Sequence, residues 1–300
     1  MPHDENGNGN EAGGVITVQR LTHYPVKGCA GTDVRSARVG ETGLEHDRTF
    51  MVVDPADGTF HSQRTLPALA AVRPEVLDGG AGLRLSADGA EPLLLEIVPE
   101  GPRRRVSLFG KPVGEAVDQG DEVAEWFSGV LGAAARLVRV PPGFDRDGWG
   151  ATPGKVAFAD AHALLIASQS SLDGLNARIG ANGGRPVPMD RFRANVVLDG
   201  CAEPHDEDLM DLMEIGTAAF AHATPAARCA VPMVDQRTGL RDGPEPIRTL
   251  SQYRREPSLH NKITFGLKAA VVRHGTLSVG DPVTTTWRAE PYRPPERRTT

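Results

Sequence analysis

Cys229 stands beside Arg228 in the segment Thr224 to Pro232, just past a run of β-forming residues. A neighbouring guanidinium favours the thiolate, the form of cysteine that attacks electrophiles and ligates soft metals. A buried structural thiol is the competing reading, because unpaired cysteine is among the most buried residue types. Lys27-Gly28 follows Tyr24-Pro25-Val26 at a strand end, where glycine lets backbone approach a ligand and lysine can meet an oxyanion. Asp47-Arg48 opens another strand; an arginine there suits bidentate phosphate binding, or simply a local ion pair. Arg191, Arg193 and Asn195 alternate through Met189 to Val197, which in a strand would place all three on one face, opposite Phe192, Ala194 and Val196. That face would suit an anion or a polyfunctional heterocycle, or else solvent. His46, His61, His162, His205, His222 and His274 show no His-x-x-x-His spacing, and no dinucleotide fingerprint, phosphate-loop lysine or nucleophile-elbow serine is present.

Only three cysteines, Cys29, Cys201 and Cys229, occur in 300 residues, too few for a disulfide framework or a four-thiolate metal site. Cys29 and Cys201 read as structural. The formal net charge of −6 disfavours a general electrostatic grip on nucleic acid or an anionic membrane, but leaves room for a local basic pocket. Apolar runs such as Ala163 to Ala167 fall far short of the ~20 residues that cross a bilayer. The acidic, Gly/Asn-rich start is unlike a secretion signal, so cytoplasmic localisation is expected.

These residues need a β framework to hold them. Val15 to Val26, Arg48 to Asp54, Leu83 to Ser86, Leu93 to Val98 and Arg105 to Phe109 read as strands, the pattern of a small barrel or sandwich. Val123, Trp126, Phe127, Val130 and Leu131 form one helical stripe, with Asp118 or Asp121 as cap and Gly132 as stop. The Pro/Gly/Asp-rich segment 141–154 reads as a linker. Beyond it, Ser168 caps a helix bearing Leu172, Leu175 and Ile179, with Gly180 at its stop. Strands follow at Phe192 to Leu198, Ala218 to Ala223, Ala269 to Arg273 and Pro282 to Thr286, with a short acidic helix expected over Glu203 to Leu212. The expected organisation is a tail at 1–14, a β-barrel-like domain at 15–140, the linker, a second β-rich domain at 155–287 and a tail at 288–300. The fold class is mainly β with a few helices (α+β).

Several of these segments together resemble one family: Tyr24 to Cys29, Leu44 to Phe50, Phe158 to Asp160 with Ser168 to Asn176, Arg191 to Asn195, Arg228-Cys229, and Gly275 to Pro282. In this order they are similar to the MOSC family, specifically its two-part branch with an N-terminal β-barrel domain before a β-barrel MOSC domain. That branch includes the amidoxime-reducing components and YcbX-like bacterial proteins, and the resemblance spans about residues 15 to 287. It implies a molybdenum–pterin cofactor (Mo-molybdopterin), with Cys229 as thiolate ligand to molybdenum and catalytic centre. Lys27, Gly28, Arg48, Asp160, Arg193 and Asn195 would contact the cofactor's phosphate and pterin edges. The activity implied is an oxidoreductase's two-electron reduction of the N–O bond in small N-hydroxylated compounds.

Iron–sulfur domains found on some relatives need four cysteines. Three cannot supply them, so the electrons are expected from a separate electron-transfer protein or reductase, with no nucleic-acid or membrane partner. Ala161-His162-Ala163 departs from the family motif, so a phosphate contact there is either lost or made by His162. The alternative is a non-catalytic cofactor or sulfur carrier module; a metal-free thiol enzyme would need a base such as His222 near Cys229.

Overall fold

Leu21, Val196, Ile166 and Leu267, all fully buried, stand in register across four neighbouring strands of the largest sheet. In this computed structural model, which describes residues 14–290, that sheet draws on both ends of the chain. Its order is Val283–Trp287, Met210–Ile215, Ala218–Ala227, Lys262–Arg273, Leu164–Ser168, Val196–Asp199, Thr17–His23 and Thr32–Val34, with Arg255–Glu256 paired to Lys262–Arg273. Leu164–Ser168 and Val196–Asp199 run parallel. A parallel pair needs a crossover, and helix α2 (named here with α1, Asp121–Leu131, and α3, Ile247–Tyr253) provides it over Gln169–Ala181.

The strand order is an open path, not a closed ring. Its far end nevertheless curls back to the first strand: Thr17 bridges Pro282, Val18 N–H donates to Asp281 O at 3.0 Å, and Val283 N–H donates to Ile16 O at 2.8 Å.

A second sheet orders Arg103–Leu108, Lys111–Asp118, Arg136–Arg139, Phe50–Val53 and Val26–Lys27. α1 packs Val123 and Phe127 against Val26, Phe50, Leu83 and Leu85 in this half's core. Gly132, φ +63°, ends α1 in the left-handed conformation that glycine adopts without a Cβ penalty. Neither expected aspartate caps its start. Gly120 holds that position, while Asp118 accepts from Gly120 N–H at 2.9 Å and binds Arg136. Ser168 does cap α2, accepting from Ser171 N–H at 3.1 Å, and Leu175 and Ile179 are fully buried. The helix runs one residue past Gly180.

Two expectations are corrected. Glu203 to Leu212 is a 3-10 turn, Asp206–Leu209, followed by a strand from Met210, because Met210, Met213 and Ile215 feed the large sheet's core. Phe192 to Leu198 is a strand only from Val196. Residues 141–154 hold no named strand or helix and lie against the large sheet, with Ala151 N–H donating to Ala223 O at 2.8 Å. The expected tails lie almost wholly outside the described residues. Among those described, no helix is long and apolar enough to cross a membrane.

Candidate functional site

Thr17–His23 belongs to the large sheet and Val26–Lys27 to the second, so Tyr24-Pro25 carries the chain across the seam between them. Lys27 and Gly28 therefore emerge at that seam. Gly28 has φ +87°, a conformation that disfavours side-chain-bearing residues, and its carbonyl accepts from Gln63 Nε2 at 2.6 Å. The buried Lys27 ammonium donates to Phe158 O at 2.9 Å, pairs with Asp160, and faces the Phe60 and Phe109 rings at 5.3 and 5.7 Å. Burial pushes the Lys27 pKa down against the pull of Asp160. Asp160 loses part of its hydration, which disfavours its charge, yet Lys27 and then Lys268 outweigh that and hold its carboxyl well below the usual range.

Arg48 reaches across the seam. Its guanidinium pairs with Asp47 and donates to Asn195 Oδ1 at 2.8 Å and Arg193 O at 3.3 Å. The Asn195 amide is fully engaged: Nδ2 donates to Thr22 O and Asp47 Oδ1 at 3.1 and 3.0 Å, and Oδ1 also accepts from Leu165 N–H at 3.1 Å. Asn195 thus lines the cleft but spends its hydrogen bonds on holding Arg48 and Asp47. Arg48 and Arg193 both lie over the Tyr24 ring, each 4.3 Å from its centroid, within cation–π range. Arg193 also donates to Gln236 Oε1 at 3.0 Å.

Cys229 is exposed, just beyond Ala218–Ala227. The neighbouring Arg228 donates to Phe192 O at 2.8 Å, and its Nε is buried with no partner among the described residues. Cys29 and Cys201 are buried, and burial pushes each thiol up to about 12, consistent with inert structural roles.

The seven residues that the family resemblance assigns to the site, Lys27, Gly28, Arg48, Asp160, Arg193, Asn195 and Cys229, line one solvent-open cleft. Six cationic residues line it, Lys27, Arg48, Arg64, Arg193, Arg228 and Lys268, against the single carboxylate of Asp160. In a chain of net charge −6 this is a local reversal of sign, and such a concave patch attracts anions.

Arg191 does not join it. The 3-10 turn Met189–Phe192 and the left-handed Arg193, φ +57°, break the expected alternation, and Arg191 is buried against Asp242 and Asp235 at 2.6 and 3.3 Å. His222 is also elsewhere, buried with its ring against Met210 O at 3.2 Å, so no His222–Cys229 pair is formed. His162 does line the cleft. Its Nε2 is hydrogen-bonded to Trp149 O, and burial, then Lys268, push its pKa down to about 3, so it is neutral at pH 7. The polar cleft residues missed from the sequence include Lys268, Arg64 and Gln63. Lys268 is marked there as a lysine inside the apolar run Phe265 to Val272, and Gln63 carries no evident signal.

Fold and site define a two-part, mainly β protein with a thiol at the edge of a cationic cleft. The chain belongs to the MOSC domain family: residues 15–134 match the MOSC N-terminal beta barrel domain and residues 153–284 the MOSC domain. Mitochondrial amidoxime reducing component 2 of Rattus norvegicus is 34% identical over 293 residues, covering 90% of this chain and 83% of that protein. Mitochondrial amidoxime-reducing component 1 of Mus musculus is 32% identical, covering 90% and 82%. Molybdenum cofactor sulfurase of Danio rerio is 32% identical over 92% of this chain, which spans only 35% of that protein.

Proposed function

We infer that the cleft binds a molybdenum–pterin cofactor with Cys229 as a thiolate ligand, and that the protein reduces small N-hydroxylated compounds by two electrons. The observation that carries this reading is the opening of the exposed Cys229 thiol onto the same cleft as six cationic residues. It is supported by relatives named amidoxime reducing component and molybdenum cofactor sulfurase. The donor set fits the group. Thiolate is a soft ligand suited to the metal, and guanidinium and ammonium groups suit phosphate. The unpartnered buried Arg228 Nε marks a cation whose hydrogen-bonding capacity the protein leaves partly unused.

When bound, the cofactor supplies the two-electron redox chemistry. The chain's own residues bind and orient it. Arg48, Arg193, Arg228 and Lys27 present positive charge to its anionic parts, and Gly28 allows close backbone approach. Asp160 fixes the Lys27 ammonium, and Asn195 fixes Arg48. We assign the supply of electrons to a separate electron-transfer protein. Three unpaired thiols suit a reducing compartment such as the cytoplasm.

Protein from a cofactor-competent host, given a chemical reductant and an aryl amidoxime, is expected to yield the amidine. Molybdenum-loaded protein that leaves amidoximes and hydroxylamines untouched overturns the reductase reading. The exposed thiol and the sulfurase relative favour one second reading, a sulfur or cofactor carrier. A persulfide on Cys229 in molybdenum-free protein would support it.

A further inference from the structure

Lys268 lies in Lys262–Arg273, a central strand of the large sheet, opposite Leu165 on one side and Thr224 on the other. Its strand neighbours Leu267 and Ala269 are fully buried in the core, so the alternation of side chains sends Lys268 to the cleft face, where it meets the same space as Cys229. Among the described residues its ammonium makes no hydrogen bond or ion pair, unlike Lys27, whose ammonium is held by Phe158 O and Asp160. A lysine fixed on a rigid strand, half-buried and without a protein acceptor, is poised toward whatever occupies the cleft.

We propose that Lys268 is the proton donor to the departing oxygen of the N-hydroxylated substrate, a catalytic residue additional to the cofactor-binding set. The proposal rests on the reductase reading. In the net reaction the N–O bond breaks, an N–H bond forms, and oxygen leaves as water, consuming two electrons from the electron-transfer protein and two protons. Lys268 supplies one of these protons from Nζ and is reprotonated from solvent through the open cleft.

The groups around Nζ are consistent with that task. Burial lowers the Lys268 pKa to about 8, Asp160 opposes the shift, and Arg228, Lys27 and Arg48 reinforce it. The neutral His162 also lines this region and adds no charge. A donor titrating near the working pH is the kind that general acid catalysis needs.

Two measurements on the full-length protein test this. Competitive acetylation with acetic anhydride across pH 6–11, read by peptide mass spectrometry, needs neither cofactor nor turnover. Lys268 is expected to titrate near pH 8, about two units below the ordinary lysine value, and lower still in Asp160→Asn. Titration at the ordinary lysine value near 10.4 overturns the proposal, even if reduction of amidoximes is observed.

Lys268→Arg keeps the charge but cannot release a proton at these pH values. Its molybdenum content and KM are expected to stay near wild type, while kcat falls about 100-fold and the alkaline limb near pH 8 disappears. A variant with wild-type kcat and an unchanged alkaline limb overturns the proposal. If wild-type protein reduces no N-hydroxylated compound while Lys268 titrates low, it is the reductase reading that has failed.

Discussion

Arg48 donates to Asn195 Oδ1 at 2.8 Å across 147 positions of sequence, joining the second sheet to the large one at the edge of the cleft. The same amide binds Asp47, Thr22 and Leu165, so one buried side chain ties the Arg48 loop to two strands of the large sheet.

Asn195→Leu removes those bonds and leaves Leu165 N–H, Thr22 O and part of Asp47 without partners. Each stranded buried group costs about 1–3 kcal/mol, so a loss of at least ~2 kcal/mol is expected in urea unfolding. A change under about 0.5 kcal/mol would show that the junction is not a structural tie.

Acid should unfold this protein through its buried histidines. Burial lowers His162 and His205 to about 3 and His222 to about 4, all from an unfolded value near 6.5. Between those limits the unfolded chain binds more protons, so this stability is intact above pH 6.5 and is lost as pH falls toward 3. Each histidine contributes a slope approaching ~1.4 kcal/mol per pH unit. Asp208, whose carboxyl burial pushes up to about 7 despite Arg254, works oppositely between pH 7 and 4 and offsets about one histidine. Urea midpoints at pH 7, 5.5 and 4.5 should fall steadily, and less steeply in His162→Gln; a flat profile contradicts the assignment.

Gly266, φ +79°, sits two residues before Lys268, where an added Cβ would lie 2.7 Å from Ile166 O. Gly266→Ala therefore combines left-handed strain of about 1–2 kcal/mol with a backbone clash. Thermal unfolding should show Tm lowered by several degrees; an unchanged Tm would mean the strand relaxes at no cost.

Local signals in the sequence carried furthest. The stripe ending at Gly132 and the Ser168 cap involve residues within a few positions of one another, and both recur in the structure. The seven residues assigned to the site could be singled out because each stands at a motif position. Partners far apart in sequence were not legible. Thr17–His23 pairs with Val196–Asp199, which no local pattern announces. Arg191 and Arg193 mimic strand alternation, but a 3-10 turn and one positive φ separate them. Lys268 stands out as a lysine in an otherwise apolar run, but only the sheet's geometry shows that its face opens on the cleft.

Cys229 is the residue on which the proposed function turns. Molybdenum and pterin should be measured in wild-type and Cys229→Ala protein purified side by side from a cofactor-competent host. Near-stoichiometric metal in the wild type and almost none in the variant, with an unchanged urea midpoint, is the expected result; full molybdenum occupancy in Cys229→Ala would contradict the assignment of its thiolate as the metal's ligand.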